Sequence, residues 1–371
     1  MKLVYLSPVM WESYYQRPHY MVQYFLNLSA ENSVLWINPY PTRLPCLSDF
    51  NRKKQKIKSN SIVLDRLSVC SIKALPIEPF KYSENINNFL FWKKIKNKIK
   101  DFWGDDSSNN KLMGIGKPSK FAFSALTQFG KIKSFYDAMD DFPEFYQGLS
   151  HDSMKNVERK ISEQVDSIIV SSSHLLEKFP NAIKIINGYP MSTLPLIEEK
   201  VRNHQINRKV IFGYVGTIGK WFDWKLVIQL ANLFPQDCIK LVGPEYIFRP
   251  NNLPYNIEFY PECSQAQAVS YLKNFDVGII PFIKNSLTQS VDPIKYYEYR
   301  GMGLPIISSK FGEMINKENI IYFEELNKSV KDKINKKNTI EEIMNFRNNN
   351  DWSTRFVLLD KLFSNDYPVN C

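Results

Sequence analysis

The chain has 371 residues, too many for one ordinary core and suited to two domains of roughly 150–200 residues each. Its 44% hydrophobic and 23% charged residues are globular values, which exclude a disordered or fibrous chain. The net charge of +10 favours acidic partners (nucleic acid, anionic lipid, phosphorylated small molecules), although a lysine-rich composition also serves solubility alone.

Strand–helix alternation appears twice. Lys2–Ser7 reads as a buried strand. Gln16–Leu28 carries apolar residues at helical spacing, with Tyr20, Tyr24 and Leu28 four apart. Ser33–Ile37 is a second strand, ended by Asn38-Pro39, and Ser61–Leu67 and Val69–Leu75 are weaker ones. Lys111–Ile115 and Ile132–Tyr136 are short strands on either side of a helix. Val165–Ser171 follows a helix through Val157 and Ile161. Residues 187–208 lose periodicity and read as an interdomain linker and hinge. The pattern restarts with strands at Val210–Val215, Ile239–Val242, Asn256–Phe259, Val277–Pro281 and Pro305–Ser308. Helices at Asp223–Leu233, Ser264–Asn274 and Asp292–Met302 separate them. Trp352–Phe363 reads as a closing amphipathic helix. The charge-rich segments Arg52–Lys58 and Lys328–Lys337 read as exposed. The expected domains are residues 1–190 and 209–350, with 351–371 closing the fold. Such alternation implies α/β domains with parallel sheets covered by helices.

Five cysteines (Cys46, Cys70, Cys238, Cys263 and Cys371) form no C-x-x-C pair, and an odd count fits a reducing compartment. The N-terminus lacks a signal-peptide core, and no apolar window spans a bilayer, so a cytoplasmic protein is expected. No His/Asp cluster has metal-ligand spacing, and neither a metal nor a cofactor is expected.

Four segments carry chemistry. In Gly213–Lys220 a strand runs into a turn with Gly216, Thr217 and Gly219, whose backbone N–H groups suit a phosphate with Lys220 nearby; a plain tight turn reads equally well. In Ser290–Ile307, Asp292 is a natural N-cap and Pro293 suits the first helical position. That helix N-terminus offers free N–H groups to a diphosphate, Lys295 adds charge, and the Glu298 carboxylate suits two ribose hydroxyls; an ordinary capped surface helix followed by a strand is the alternative. Gln16-Arg17-Pro18-His19 follows the first strand, where open α/β sheets bind ligands. Arg17 has the fork for phosphates, and His19 either packs on its helix or is catalytic. Asp137, Asp140 and Asp141 sit at a strand end, where neighbouring carboxylates raise one another's pKa and supply a base, Asp140 first and Asp137 second; helix capping is the alternative.

The run Pro293–Ile307 resembles the donor helix of GT-B glycosyltransferases, especially the bacterial group 1 enzymes that build surface polysaccharides such as capsule and lipopolysaccharide. Phe212–Trp224, Val242-Gly243-Pro244, Ile279–Phe282, the Trp11…Gln16-Arg-Pro-His19 arrangement and Tyr136–Asp141 resemble further segments of that family, in the expected order. The resemblance implies a GT-B fold, two Rossmann-like domains facing a central cleft. It implies a nucleoside diphosphate sugar as donor and a glycan hydroxyl, often lipid-linked, as acceptor. Glu298 would bind the ribose; Lys295, Thr217 and Lys220 the diphosphate; backbone near Gly243 and Pro281 the base. The Glu that many relatives carry eight positions before the ribose Glu is Ser290 here, which leaves inversion or retention open.

Residues 89–103 mix aromatics with five lysines, the composition of an amphipathic helix on anionic lipid at the inner face of the plasma membrane, or of a basic surface helix packed on its domain. They lack the fold signature of a nucleic-acid binder, and no nucleic acid is expected. A nucleotide-sugar epimerase and a non-catalytic binding subunit are the alternatives to a transferase.

Overall fold

The computed structural model describes residues 1–45, 64–105, 108–196, 209–327, 330 and 338–364. Of the expected strand at 61–67, residues 61–63 lie outside them, and of the other four only Leu67 is in a strand; the charged run 52–58, the run 328–337 apart from Val330, and most of the expected linker also lie outside. The chain divides into two compact units, residues 1–185 with 356–371, and residues 186–355.

The first unit holds a seven-stranded, wholly parallel sheet. Its strands are β1 (Lys2–Leu6), β2 (Ser33–Asn38), β3 (Leu67–Ser71), β4 (Lys111–Ile115), β5 (Lys133–Ala138), β6 (Ser167–Val170) and β7 (Ile183–Lys184). Their order is β3-β2-β1-β4-β5-β6-β7. Near-continuous apolar strands such as Val34–Ile37 are what burial on both faces demands. The direction of strand order reverses at β1, so the turn after β1 opens at the switch point where such sheets bind ligands.

The second unit repeats the plan with β8 (Ile211–Val215), β9 (Cys238–Val242), β10 (Ile257–Tyr260), β11 (Val277–Ile280), β12 (Ile306–Ser308) and β13 (Ile320–Tyr322). All pairs are parallel, in the order β10-β9-β8-β11-β12-β13, the 3-2-1-4-5-6 arrangement of a Rossmann sheet. The helix Trp224–Leu233 behind β8 is capped by Asp223, whose carboxylate accepts the Lys225 N–H at 2.9 Å. Ser264 and Gln267 form a capping box on Gln265–Asn274.

Four sequence expectations shift. Residues 187–196 are part of the second unit, not the start of a linker. β5 runs two residues further than expected, so Asp137 lies inside it. Trp352–Phe363 is a short helix, Trp352–Phe356, followed by a 3-10 turn, Val357–Leu359. Finally, the apolar side of the basic helix Lys93–Trp103 is not free: Trp92, Ile99 and Trp103 are fully buried in the first unit's core, and Lys96 Nζ donates to Ser124 Oγ at 2.7 Å. Edge contacts of Trp92 with Phe121 and of Trp103 with Phe129 fix this seating. Packing on the domain, not bilayer insertion, claims that stripe. Trp103→Ala is therefore expected to cost roughly 3–5 kcal/mol in chemical denaturation; a loss under about 1 kcal/mol would mean that the helix is not part of the core.

Candidate functional site

Each unit gathers its charged groups at the carboxyl edge of its sheet. In the first, Pro18 at the opening of helix Arg17–Leu28 pre-sets the entry, and Gln16 and His19 bond each other's backbone reciprocally. His19 is fully buried among Trp11, Tyr15 and Trp36. Its Nδ1 accepts the Gln16 N–H at 3.1 Å, which leaves Nε2 to donate to the Trp11 carbonyl at 3.2 Å. Burial lowers its pKa to about 4, despite these backbone contacts. Neutral and with both nitrogens engaged, His19 is a packing residue and not a catalyst.

Arg17 is likewise not presented to a phosphate. Its guanidinium is 1% exposed, forks onto Asp137 at 3.0–3.2 Å and donates to the Ile185 carbonyl at 2.7 Å. This buried pair ties the first helix to β5 and to the end of the unit; losing one partner of such a pair costs about 3–5 kcal/mol. Asp137 is thereby withdrawn as a base. Asp141 is held by Lys178 at 2.7 Å, and Lys178 also meets Glu158 at 2.5 Å. Asp140 alone of the three has no hydrogen-bond or ion-pair partner among the described residues. Its pKa is raised to about 7, by desolvation first and by the Asp137 charge second.

In the second unit the turn after β8 and the helix Ile294–Gly301 converge. Gly216 has φ +140°, and a Cβ there would stand 2.4 Å from Lys295 Nζ. Gly243, at the end of β9 with φ +139°, lies so close that its Cβ would stand 2.2 Å from the Gly216 carbonyl oxygen. Only glycine fits either place. Lys295 Nζ sits 5.0 Å from the Tyr214 ring centroid and has no anionic partner among the described residues. Desolvation lowers its pKa, and Glu298 opposes that shift. Glu298 follows three residues later on the same helix face. It is 9% exposed, and its Oε1 accepts the Tyr189 O–H at 2.9 Å. Burial raises its pKa, against the Tyr189 bond and the Lys295 charge. Thr217 is half-buried; its carbonyl accepts the Tyr214 O–H at 2.7 Å.

Several expected donor groups stand otherwise. Asp292 does not cap the helix: the N-cap position is Pro293, and the buried Asp292 carboxylate instead accepts the Asn187 N–H and the Tyr297 O–H, each at 2.7 Å, and pairs with Lys317 at 3.0 Å. Ser290 is fully buried and donates to the Leu287 carbonyl at 3.0 Å, so its hydroxyl does not face a sugar. The Gly243 N–H is spent on the Tyr260 carbonyl, and the Pro281 carbonyl accepts the Asp223 N–H, which leaves other backbone groups to meet a base. Lys220 is exposed on its turn, with no recorded contact to Lys295. Sequence reasoning missed Tyr189, Asn187 and Lys317, because an Asn-Gly-Tyr-Pro run reads as a breaker and carries no sign that it docks on a helix a hundred residues away.

No protein-family model matches the chain. It is 20% identical over 171 residues to a Bacillus subtilis protein named, provisionally, a teichuronic acid biosynthesis glycosyltransferase; the match covers 42% of this chain and 43% of that protein, less than half of its length. Among solved structures it resembles the sucrose-phosphate synthase of Thermosynechococcus elongatus (TM-score 0.64, 15% identity, 98% of both chains). It also resembles Anabaena HepE in complex with UDP and glucose (TM-score 0.60, 12% identity, 98% of this chain and 99% of that one). A glycosyltransferase from Rickettsia africae is similar to the same degree (TM-score 0.61, 13% identity, 98% of this chain and 97% of that one). At these identities the likeness fixes the fold, which is GT-B, in agreement with the resemblance read from the sequence.

A carboxylate whose pKa is raised by folding costs stability while it is charged, above its folded pKa, and none once protonated below the unfolded value. Glu298→Gln is therefore expected to make the ligand-free protein more stable than wild type at neutral pH, with the difference closing as pH falls towards 4. Thermal unfolding across pH reads this; a variant less stable at neutral pH would show that Lys295 and Tyr189 overcompensate the burial.

Proposed function

We propose that this chain, a protein of GT-B fold, is a glycosyltransferase that takes a nucleoside diphosphate sugar as donor and transfers the sugar to a hydroxyl of a glycan in bacterial surface polysaccharide synthesis. The observation that carries the reading is the placement of Lys295 and Glu298 on one face of a helix at the carboxyl edge of the second sheet. It sets a partly desolvated ammonium, with no carboxylate in hydrogen-bond or ion-pair range among the described residues, beside a buried carboxylate of which only Oε1 is hydrogen-bonded among them. The ammonium suits a diphosphate, the carboxylate suits the two hydroxyls of a ribose, and the glycines bring backbone within reach of the phosphates. The resemblance to the teichuronic acid protein supports the polysaccharide context.

Departure of the sugar leaves negative charge on the diphosphate. Lys295 and the free N–H groups opening helix Ile294–Gly301 stabilise that charge in place, without reorganising water. Asp140, poised near neutrality, takes the proton of the acceptor hydroxyl. Direct attack by that hydroxyl inverts the anomeric centre.

Two measurements test this. A matching nucleotide at a hundred times its Kd is expected to add about 2.7 kcal/mol to stability, an effect lost in Glu298→Ala; no shift with UDP, GDP, CMP or dTDP would sink the donor site. Asp140→Asn is expected to lower kcat roughly 10²–10⁴-fold and to remove an acid limb near pH 7, with nucleotide binding intact. A product of retained configuration would show that Asp140 is not the base.

A further inference from the structure

Upstream of the buried stripe of Lys93–Trp103, the same stretch of chain turns a second apolar face outward. The short helix Ser83–Asn87 continues through a π-helical segment, Asn88–Trp92, into Lys93–Trp103. The wider π turn rotates the helix about its axis, so Trp92 enters the core while Tyr82, Ile86 and Leu90, four apart, stay on the outside with Phe89 beside them. Phe89 is 85% and Tyr82 73% exposed. The inner side of this element is fully engaged. Asn87 bonds the Leu75 backbone through both Oδ1 and Nδ2, and Ser83 Oγ donates to the Glu78 carbonyl. An outward aromatic such as Phe89 thus has no inward alternative.

Charge decides what would cover this face. Lys81 precedes it, and Lys93, Lys94, Lys98 and Lys100 follow, all exposed. Between residues 80 and 101 they stand against two exposed acids, Glu84 and Asp101. Large exposed apolar tips flanked along the chain by exposed lysines match the region between headgroups and acyl chains of an anionic bilayer, where aromatics rest below the charge and each lysine adds attraction. Among the described residues no helix is long and apolar enough to cross a membrane, so the contact is with its surface. We infer that the outward face of residues 82–90, with the lysines that follow it, docks this chain on an anionic phospholipid surface. The element is already ordered by its buried side and pays no folding cost on contact. The inference is independent of the donor site.

The test is co-sedimentation of the full chain with phosphatidylcholine vesicles, with and without phosphatidylglycerol. Two variants accompany it, Phe89→Asp/Leu90→Asp and Lys93→Glu/Lys94→Glu. All four side chains are exposed, so both variants should fold; thermal melting and nucleotide-induced stabilisation check this. Wild type is expected to bind the phosphatidylglycerol vesicles and to bind phosphatidylcholine alone weakly. Each variant is expected to lose at least about tenfold in partitioning, with wild-type nucleotide stabilisation. Equal binding to both vesicle types, no binding to either, or a Phe89/Leu90 variant that binds like wild type would overturn the inference. So would self-association that the Phe89/Leu90 variant abolishes while vesicle binding persists, since the face would then join two protein copies. Loss of nucleotide binding with vesicle binding intact would sink the donor site and leave this inference standing.

Discussion

A parallel sheet sends every strand–helix turn to one edge, and in both units that edge is where charge must be reconciled with burial. Backbone carbonyls and N–H groups are already consumed in the ladders, so a charged side chain there must find a partner or wait for one. Arg17 and Asp137 resolve the conflict internally, in a forked pair sealed from water. Lys295 and Glu298 do not resolve it. Both have pKa values pushed towards the neutral form, and each keeps bonding capacity unspent. One edge thus closes its charges on each other and the other leaves them apart, although both are built from the same plan.

Three aspartates within five residues illustrate how neighbours divide labour. Asp137 is claimed by Arg17 and Asp141 by Lys178. Burial first and the neighbouring Asp137 charge second raise the affinity of Asp140 for a proton, against the charge of Arg17. The proton affinity of Asp140 is thus set by its surroundings, by burial before charge. Asp292 shows the converse: at a position suited to capping, it is drawn away by Asn187, Tyr297 and Lys317. The segment just past the unit boundary is bonded twice to the stretch that holds helix Ile294–Gly301, by Asn187 to Asp292 and by Tyr189 to Glu298. The Glu298 carboxylate is therefore held by a residue only four positions beyond the boundary.

The basic stretch of 80–103 separates two kinds of amphipathicity that composition merges. Its later half is amphipathic because it packs on its own domain; its earlier half leaves aromatic and aliphatic tips in solvent. A single π segment sets the change of face, and nothing in the residue pattern marks it.

The sequence by itself determined the two α/β units, most strands to within two residues, and the three-residue spacing of Lys295 and Glu298. Those features are local: apolar runs of strand length, a helix opening behind proline, and a three-residue spacing that any helix converts into one face. Gly216 was legible as a turn glycine after a strand and Gly243 only through the family resemblance; the structure gives both of them backbone angles that favour glycine. Tertiary structure alone decided which charges are spent. Arg17 looks like a phosphate ligand until Asp137, 120 residues on, closes its fork. Ser290 and Asp292 look available until carbonyls and amides around them claim their hydrogen bonds. The availability of a side chain is a property of everything packed against it, and burial multiplies the cost of leaving any polar group unpaired. Spacing along the chain names the groups that bear chemistry, and packing determines which of them remain free to perform it.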